Sequence, residues 1–426
     1  MAVPTIRPNI ILTHWHDFGR HASAYGVTGV TTESLDRLAG QGLRFDRAFA
    51  AAPLSSPARG ALFTGRYPHA NKLLGPSHLG WTYAPNEHTL PMLLARAGYH
   101  TALAGLQHES VDPSRIGFAE VLASGDAAQV PAYCRPVTDA TLAWLDDHAG
   151  DERPFLLTVG YTEAHRPYPP QQYPPDDPGT VEVPDFLPDN SCTRADLAAF
   201  QSAVRAADRE LGRLLDRIDE LDLAESTWVI FTTDHGVPFP RAKSTLYDTG
   251  IGVALVMRPP GRWAGRRGDT RRLVSHVDLV PTVLDRLSIE VPDNLQGVSH
   301  ARWLDGDDTA PGRGEIYAEK THHEVYDPMR CVRTERWKYI RNYEERPWLT
   351  LPADVEASLT RRGYGDDHLR HRPPEELYDL DADPGERVDL TEGPYHVDVR
   401  AELADLLVRW RYHTNDPLLN DPVPRP

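Results

Sequence analysis

The chain has 426 residues, with 45 Lys and Arg against 62 Asp and Glu, a formal net charge of −17 and a sequence pI near 5.5. That acid excess excludes a general nucleic-acid binder, which needs a basic footprint to neutralise phosphates, so an anionic ligand requires a local basic pocket. With 40% hydrophobic and 25% charged residues the composition is that of a globular protein with one large core and a smaller second one, not of a disordered or fibrous chain.

The segment Met1–Pro8 has no apolar signal core, and nowhere do apolar residues run to the roughly 20 needed to cross a bilayer, which gives the expectation of a soluble, cytoplasmic protein with no membrane partner. The first apolar run, Asn9–Thr13, is short, β-branched and continuous, as in a strand buried on both faces of a parallel sheet, and it leads directly into His14-Trp-His-Asp17. Leu35 and Leu38 mark one face of a following helix. Pro57, with Ser56 before it, signals a helix start inside Ser55–Arg66. A second helix-to-strand unit is predicted from Thr89–Gly98 into Tyr99–Ala104, and residues 154–160 read as another buried strand. The proline-rich stretch from Pro167 to Pro188 predicts a long irregular loop. Leu197, Phe200, Val204, Leu211, Leu214, Leu215 and Ile218 recur at helical spacing, so one long amphipathic helix is expected to pack on the sheet. Strands are predicted over Thr227–Thr233, which ends in Asp234-His-Gly236, and over Val253–Met257. The alternation makes the fold α/β, with a doubly wound, mostly parallel sheet. Beyond about residue 305 it stops, and Glu315–Glu319, Met329–Arg333 and Trp337–Arg341 predict a small antiparallel sheet. The expected domains are 1–305, the α/β unit, and 306–426, an α+β subdomain carrying the antiparallel sheet.

The three cysteines, Cys134, Cys192 and Cys331, are far apart and have no Cys-x-x-Cys pairing, so neither a disulfide framework nor a zinc knuckle is expected. Only four lysines occur, among them Lys243. Two strand ends carry an adjacent His/Asp pair, His16-Asp17 and Asp234-His235, and carboxyl ends of strands in open α/β sheets converge on one crevice. The four side chains could therefore meet around one metal ion, although each pair alone reads equally as a turn or a cap. Ser55-Ser-Pro-Ala-Arg59 sets a hydroxyl at a helix N-terminus that favours anions, with a guanidinium four residues on; capping of the helix by one serine is the simpler alternative.

The string Ser-x-Pro-x-Arg followed by Gly-Ala-Leu-Phe-Thr-Gly-Arg66 resembles the signature of the type I sulfatases of the alkaline phosphatase superfamily, and the chain is most similar to their heparan N-sulfatase (sulfamidase) branch. The similarity continues through Thr232–Pro240, Lys243 with Leu246–Gly250, Asp278–Thr282, His322–Val325, Tyr326–Arg330 and Glu376–Pro384. The resemblance implies an alkaline phosphatase-like fold and a nucleophile at Ser55, a formylglycine if a formylglycine-generating enzyme acts on it. It further implies that Arg59, His108, His165 and Lys243 hold the nucleophile or the sulfuryl oxygens, and that His16, Asp17, Asp234 and His235 hold one divalent metal.

Two positions depart from the family pattern. His16 stands where the family has Asp, so the ligand set mixes two imidazoles with two carboxylates, which favours Mn²⁺, Zn²⁺ or Fe²⁺ over the all-oxygen preference of Ca²⁺. Leu106 stands where the family has a lysine, so one positive group is missing from the anion pocket. Three functions follow in order: hydrolysis of a sulfate ester or sulfamate, a phosphoesterase or phosphonate monoester hydrolase that uses unmodified Ser55, and a non-catalytic relative that binds sulfated ligands. The segment containing His322, His323, Glu324 and Arg330 is expected to wall the substrate pocket, and a small sulfated or N-sulfated sugar is the expected substrate.

Overall fold

The computed structural model describes residues 7–124, 133–263 and 265–426. The main sheet is built from β1 (Asn9–Trp15), β2 (Leu43–Phe45), β3 (His100–Gly105), β4 (Glu120–Leu122), β5 (Phe155–Gly160), β6 (Thr227–Thr233), β7 (Leu255–Arg258) and β8 (Gly268–Thr270). Their spatial order is β8-β2-β7-β6-β1-β5-β3-β4. All neighbours are parallel except β7, which runs antiparallel to both β6 and β2. The continuous apolar run of β1 is explained by its central place: Ile11 and Trp15 face one apolar cluster and Ile10 and Leu12 the other.

Helices cover both faces, as a doubly wound sheet requires. On one side lie Glu33–Gln41, Cys134–His148 and the 30-residue helix Ser191–Glu220, whose start is capped by Asn190 accepting from the Thr193 amide. On the other lie Ser55–Thr64, Leu90–Arg96 and Leu279–Arg286. The predicted strand over Val253–Met257 is divided. Gly252–Val253 joins Ala48–Phe49 and Val274–Ser275 in a small three-stranded sheet, while the rest enters the main sheet as β7.

The C-terminal region forms an antiparallel sheet in the order β9 (Glu315–His322), β10 (Tyr326–Thr334), β11 (Trp337–Asn342) and β12 (Glu375–Asp379). Three of these strands match the sequence expectation, and β12 is an addition. This sheet does not stand apart: Ile316, Cys331 and Ile340 share an apolar cluster with Phe49, Tyr247 and Ile251, and Tyr317, Val332 and Trp410 share another with Ala61 and Tyr67. The elements before and after residue 305 are thereby packed on common cores. Among the described residues no helix is long and apolar enough to cross a membrane.

Candidate active site

Four adjacent parallel strands, β6, β1, β5 and β3, end at one edge of the sheet. Trp15 pairs with Thr233, so the residues that follow, His16-Asp17 and Asp234-His235, emerge side by side. Asp17 turns there with φ 54°, a left-handed conformation that an aspartate tolerates, and its amide donates to Asp234 Oδ1 at 2.9 Å. The His235 amide donates to the same oxygen at 2.8 Å. Gly236 follows because the backbone passes too close for a side chain: a Cβ there would lie 1.9 Å from the Thr249 carbonyl oxygen.

His16 presents Nδ1 to Asp17 Oδ1 at 3.0 Å and to Asp234 Oδ2 at 3.3 Å. His235 presents Nε2 to Asp17 Oδ1 at 3.1 Å and to Asp234 Oδ2 at 3.7 Å, while its Nδ1 donates to the Gly236 carbonyl at 3.0 Å. One ligand atom from each of the four lies within 4.8 Å of all the others, and all four residues are buried. Burial holds His16 at about 4, against the pull of Asp234 and Asp17, and it also lowers His235, so both imidazoles are neutral near pH 7. Both carboxyls resist the burial that would raise them. Lys243 and His16 hold Asp17 well below the usual carboxylate range, and His235, His16 and Arg59 do the same for Asp234. Two neutral imidazoles turned toward two ionised carboxylates are in the protonation states that ligate a divalent cation, and the backbone carbonyl behind His235 fixes its ring, so the donor set fits a metal.

Ser55 opens the helix Ser55–Thr64, yet neither serine caps it: the N-cap position is Leu54, and no side chain bonds the first turn. Ser56 Oγ instead accepts from the Ser77 amide at 3.1 Å. Ser55 Oγ turns to the metal-ligand cluster, 3.2 Å from His16 Nε2 and 3.4 Å from His235 Nε2. One helical turn on, Arg59 is fully buried, and its guanidinium donates to Asp234 Oδ2 at 3.2 Å, to the Trp15 carbonyl at 3.4 Å and to His14 Nδ1. From the end of β3, His108 Nδ1 lies 3.2 Å from His16 Nε2, and burial keeps its ring neutral. From the end of β5, His165 Nε2 lies 3.8 Å from Asp17 Oδ2. Lys243 donates to Asp17 Oδ2 at 2.7 Å; despite its burial, Asp17 and Asp354 raise its pKa. All nine residues expected to carry the chemistry or the metal thus stand around one point. The geometry gathers a hydroxyl at a helix N-terminus, two cations and neutral imidazoles around one buried cluster, which is a setting for transfer of an anionic sulfuryl- or phosphoryl-type group to an oxygen nucleophile.

The expected wall behaves differently from the reading of its sequence. Arg330 is fully buried and its guanidinium is taken up by Asp416, at 2.9 Å from both Nε and Nη2, and by Glu319 at 3.2 Å, so it has no face for a ligand. His322 is buried between the Trp81 and Tyr326 rings and donates to the Val423 carbonyl at 2.8 Å. An arginine or histidine on a strand reads the same whether it points at a ligand or at a partner in the core. His323 and Glu324 lie on the exposed turn between β9 and β10 and bond to each other. Glu324 also accepts from the Ala353 amide at 2.9 Å and so braces the short helix Ala353–Glu356.

That helix brings a residue the sequence did not mark. Asp354 accepts from Lys243 at 2.9 Å and lies 3.8 Å from His165 Nε2. Nothing local in Leu351–Glu356 distinguishes it from a surface aspartate. His14, beneath Arg59, was visible beside His16 but carried no spacing signal. Leu106 packs into the apolar cluster on one sheet face, and among the described residues this strand end supplies no cation to the pocket.

A family model described as Sulfatase matches residues 8–289, and one described as N-sulphoglucosamine sulphohydrolase, C-terminal, matches residues 239–354. The chain is 29% identical to the N-sulphoglucosamine sulphohydrolase of Homo sapiens, over 96% of this chain and 91% of the human one. Among solved structures it resembles a protein in complex with its substrate D-glucosamine-2-N,6-O-disulfate, with a TM-score of 0.74 at 20% identity over 98% and 99% of the two chains. It also resembles the phosphonate monoester hydrolase of Agrobacterium radiobacter, with a TM-score of 0.74 at 20% identity over 96% of each chain.

Proposed function

The chain belongs to the sulfatase family and is a hydrolase of that type, acting on a sulfate ester or sulfamate, and we propose that its substrate is a small sugar-like molecule attacked by the oxygen at position 55. The observation that carries this reading is that Ser55 forgoes capping its own helix and faces His16 and His235 instead.

In this reading Ser55 loses its proton as Oγ forms a bond to the sulfur, the bond to the leaving oxygen or nitrogen breaks on the far side with a proton passed to that atom, and cleavage of the sulfated residue then releases sulfate and restores position 55. Arg59 holds the cluster through Asp234, and its charge lies under the developing negative charge. Lys243 gives its ammonium to a sulfuryl oxygen as the substrate enters beside Asp354. His108 and His165, from two further strand ends, are the groups that hold sulfuryl oxygens, and His165 is also the one that relays the proton lost by Ser55 to the leaving group. A divalent cation held by His16, Asp17, Asp234 and His235, of the Mn²⁺, Zn²⁺ or Fe²⁺ type, would supply Lewis acidity to the nucleophilic oxygen. Conversion of Ser55 to formylglycine would supply, as its hydrate, a second hydroxyl that releases sulfate without attack of water on sulfur.

The relative that hydrolyses N-sulphoglucosamine supports a sugar carrying an N-sulfate. A phosphorus substrate is the second reading, favoured by the apolar Leu106 in place of a cation; it would use Ser55 as a plain alcohol, which suits phosphorus better than sulfur. A panel of sulfate monoesters, sulfamates, phosphate diesters and phosphonate monoesters decides between them, together with the mass of the Ser55 peptide. The expected result is the highest kcat/KM on a sulfur substrate with an aldehyde mass at position 55. Phosphorus substrates exceeding every sulfur substrate, with Ser55 unmodified, would overturn it.

A further inference from the structure

At the opposite end of the same strands, away from the catalytic crevice, three metal-ligating side chains meet. His100 is the first residue of β3, Glu120 the first of the edge strand β4, and His148 the last of the helix Cys134–His148. We propose that they form a second, independent cation site, of the kind that takes Zn²⁺.

One ligand atom from each lies within 4.8 Å of the other two. His100 Nε2 is 2.6 Å from Glu120 Oε1, and His148 Nε2 is 4.0 Å from the same oxygen. Two ligand atoms on a tetrahedral Zn²⁺ with bonds of about 2.0–2.1 Å stand about 3.3 Å apart, a value these two separations bracket. Small side-chain rotations therefore suffice to close the set.

The bland account is a partly exposed His100–Glu120 ion pair. It leaves His148 unexplained. The Nδ1 of His148 donates to the Trp144 carbonyl at 2.8 Å, so Nε2 is the ring nitrogen left for a cation, and it faces Glu120 from beyond hydrogen-bond range. A ring fixed from behind through one nitrogen, with the other turned toward a carboxylate, is the arrangement of a ligand histidine. The second oxygen of Glu120 accepts from the Trp144 indole at 3.0 Å, which leaves Oε1 for the cation. Trp144 also stacks on the His148 ring, with centroids 4.1 Å apart and planes at 12°. One tryptophan thereby orients two of the three ligands, through its carbonyl, its indole N–H and its face.

Two imidazoles and one carboxylate suit Zn²⁺ better than Ca²⁺ or Mg²⁺, and side-chain exposures of 19%, 38% and 22% leave room for water to complete the shell. Because the ligands come from two strands and a helix, a cation here would tie the sheet edge to its covering helix and stabilise the folded chain. The site takes no part in the hydrolysis.

Crystals of the whole chain soaked with Zn²⁺ and measured on both sides of the zinc absorption edge test this directly. An anomalous peak between His100, Glu120 and His148 is expected; its absence under saturating Zn²⁺ overturns the proposal. In solution, calorimetric titration of wild-type protein with Zn²⁺ is expected to show one equivalent more than H100A/H148A, while Glu120→Gln weakens that equivalent at least about tenfold without emptying the catalytic cluster. Equal stoichiometry in wild type and double variant would overturn it as well.

Discussion

Asp354 is expected to set how much negative charge the pocket accepts. The Lys243 ammonium is shared by Asp17 at 2.7 Å and Asp354 at 2.9 Å, so a substrate oxygen that takes up Lys243 must lie beside the Asp354 carboxylate. Two cations, Arg59 and Lys243, already face three carboxylates, since burial lowers His16, His108 and His235 to neutral. Two anions sharing one ammonium stand about 5 Å apart, and at an effective dielectric near 20 they repel by about 3 kcal/mol per unit charge. The side chain of Asp354 is 20% exposed, and solvent screening there reduces the repulsion to about 1–2 kcal/mol. Asp354→Asn is therefore expected to tighten a monoanion about tenfold and a dianion about a hundredfold. The assay is competitive inhibition by methanesulfonate, a monoanion, and by inorganic sulfate, a dianion, at neutral pH, with calorimetric binding of each as a readout independent of turnover. A sulfate-to-methanesulfonate ratio that moves less than about twofold would refute the charge argument.

Replacing Lys243 by Ala removes a donor aimed at the developing charge, and turnover is expected to fall on the order of 10²-fold or more, with Lys243→Arg recovering part of it. Asp234→Ala takes away both a proposed metal ligand and the acceptor of the Asp17 and His235 amides, and elemental analysis is expected to find a divalent metal in the wild type and to find it lost from the variant. Arg330→Ala strands Asp416 and Glu319 in the core and is expected to cost about 3–5 kcal/mol in urea unfolding, whereas the folded fraction keeps its KM, contrary to a substrate-contacting role. His21, buried beside Gln201 and Phe200, has its pKa lowered from 6.5 to about 4 by burial. The unfolded chain thus binds the proton first as pH falls, so stability is lost between pH 6.5 and about 4, by about 3 kcal/mol, and His21→Gln is expected to flatten the denaturation profile across that window.

What can be read along the chain is what repeats within a few residues. The continuous β-branched run of β1, the helical spacing from Leu197 to Ile218 and the Ser-x-Pro-x-Arg string each carry their own physical constraint locally, and each formed the element predicted from it. The carboxyl-end rule for parallel strands brings His16-Asp17 to Asp234-His235 from the sequence alone, because strand direction fixes which loops share an edge. Partner choice between distant side chains has no such periodic trace. Asp354 lies 111 residues from Lys243, and Arg330 lies 86 residues from Asp416. One charged side chain ended in the active crevice and the other in the core, although neither sequence context differs in composition from an exposed strand or turn. The break at Ala254 is similar in kind: the apolar run is uniform, but Gly252–Val253 pairs with Ala48–Phe49 while β7 inserts antiparallel between β2 and β6. Burial tells a strand that it is inside, whereas the register and the counter-charge are set by which segments compete for the same space, and that competition exists only once the chain has closed on itself.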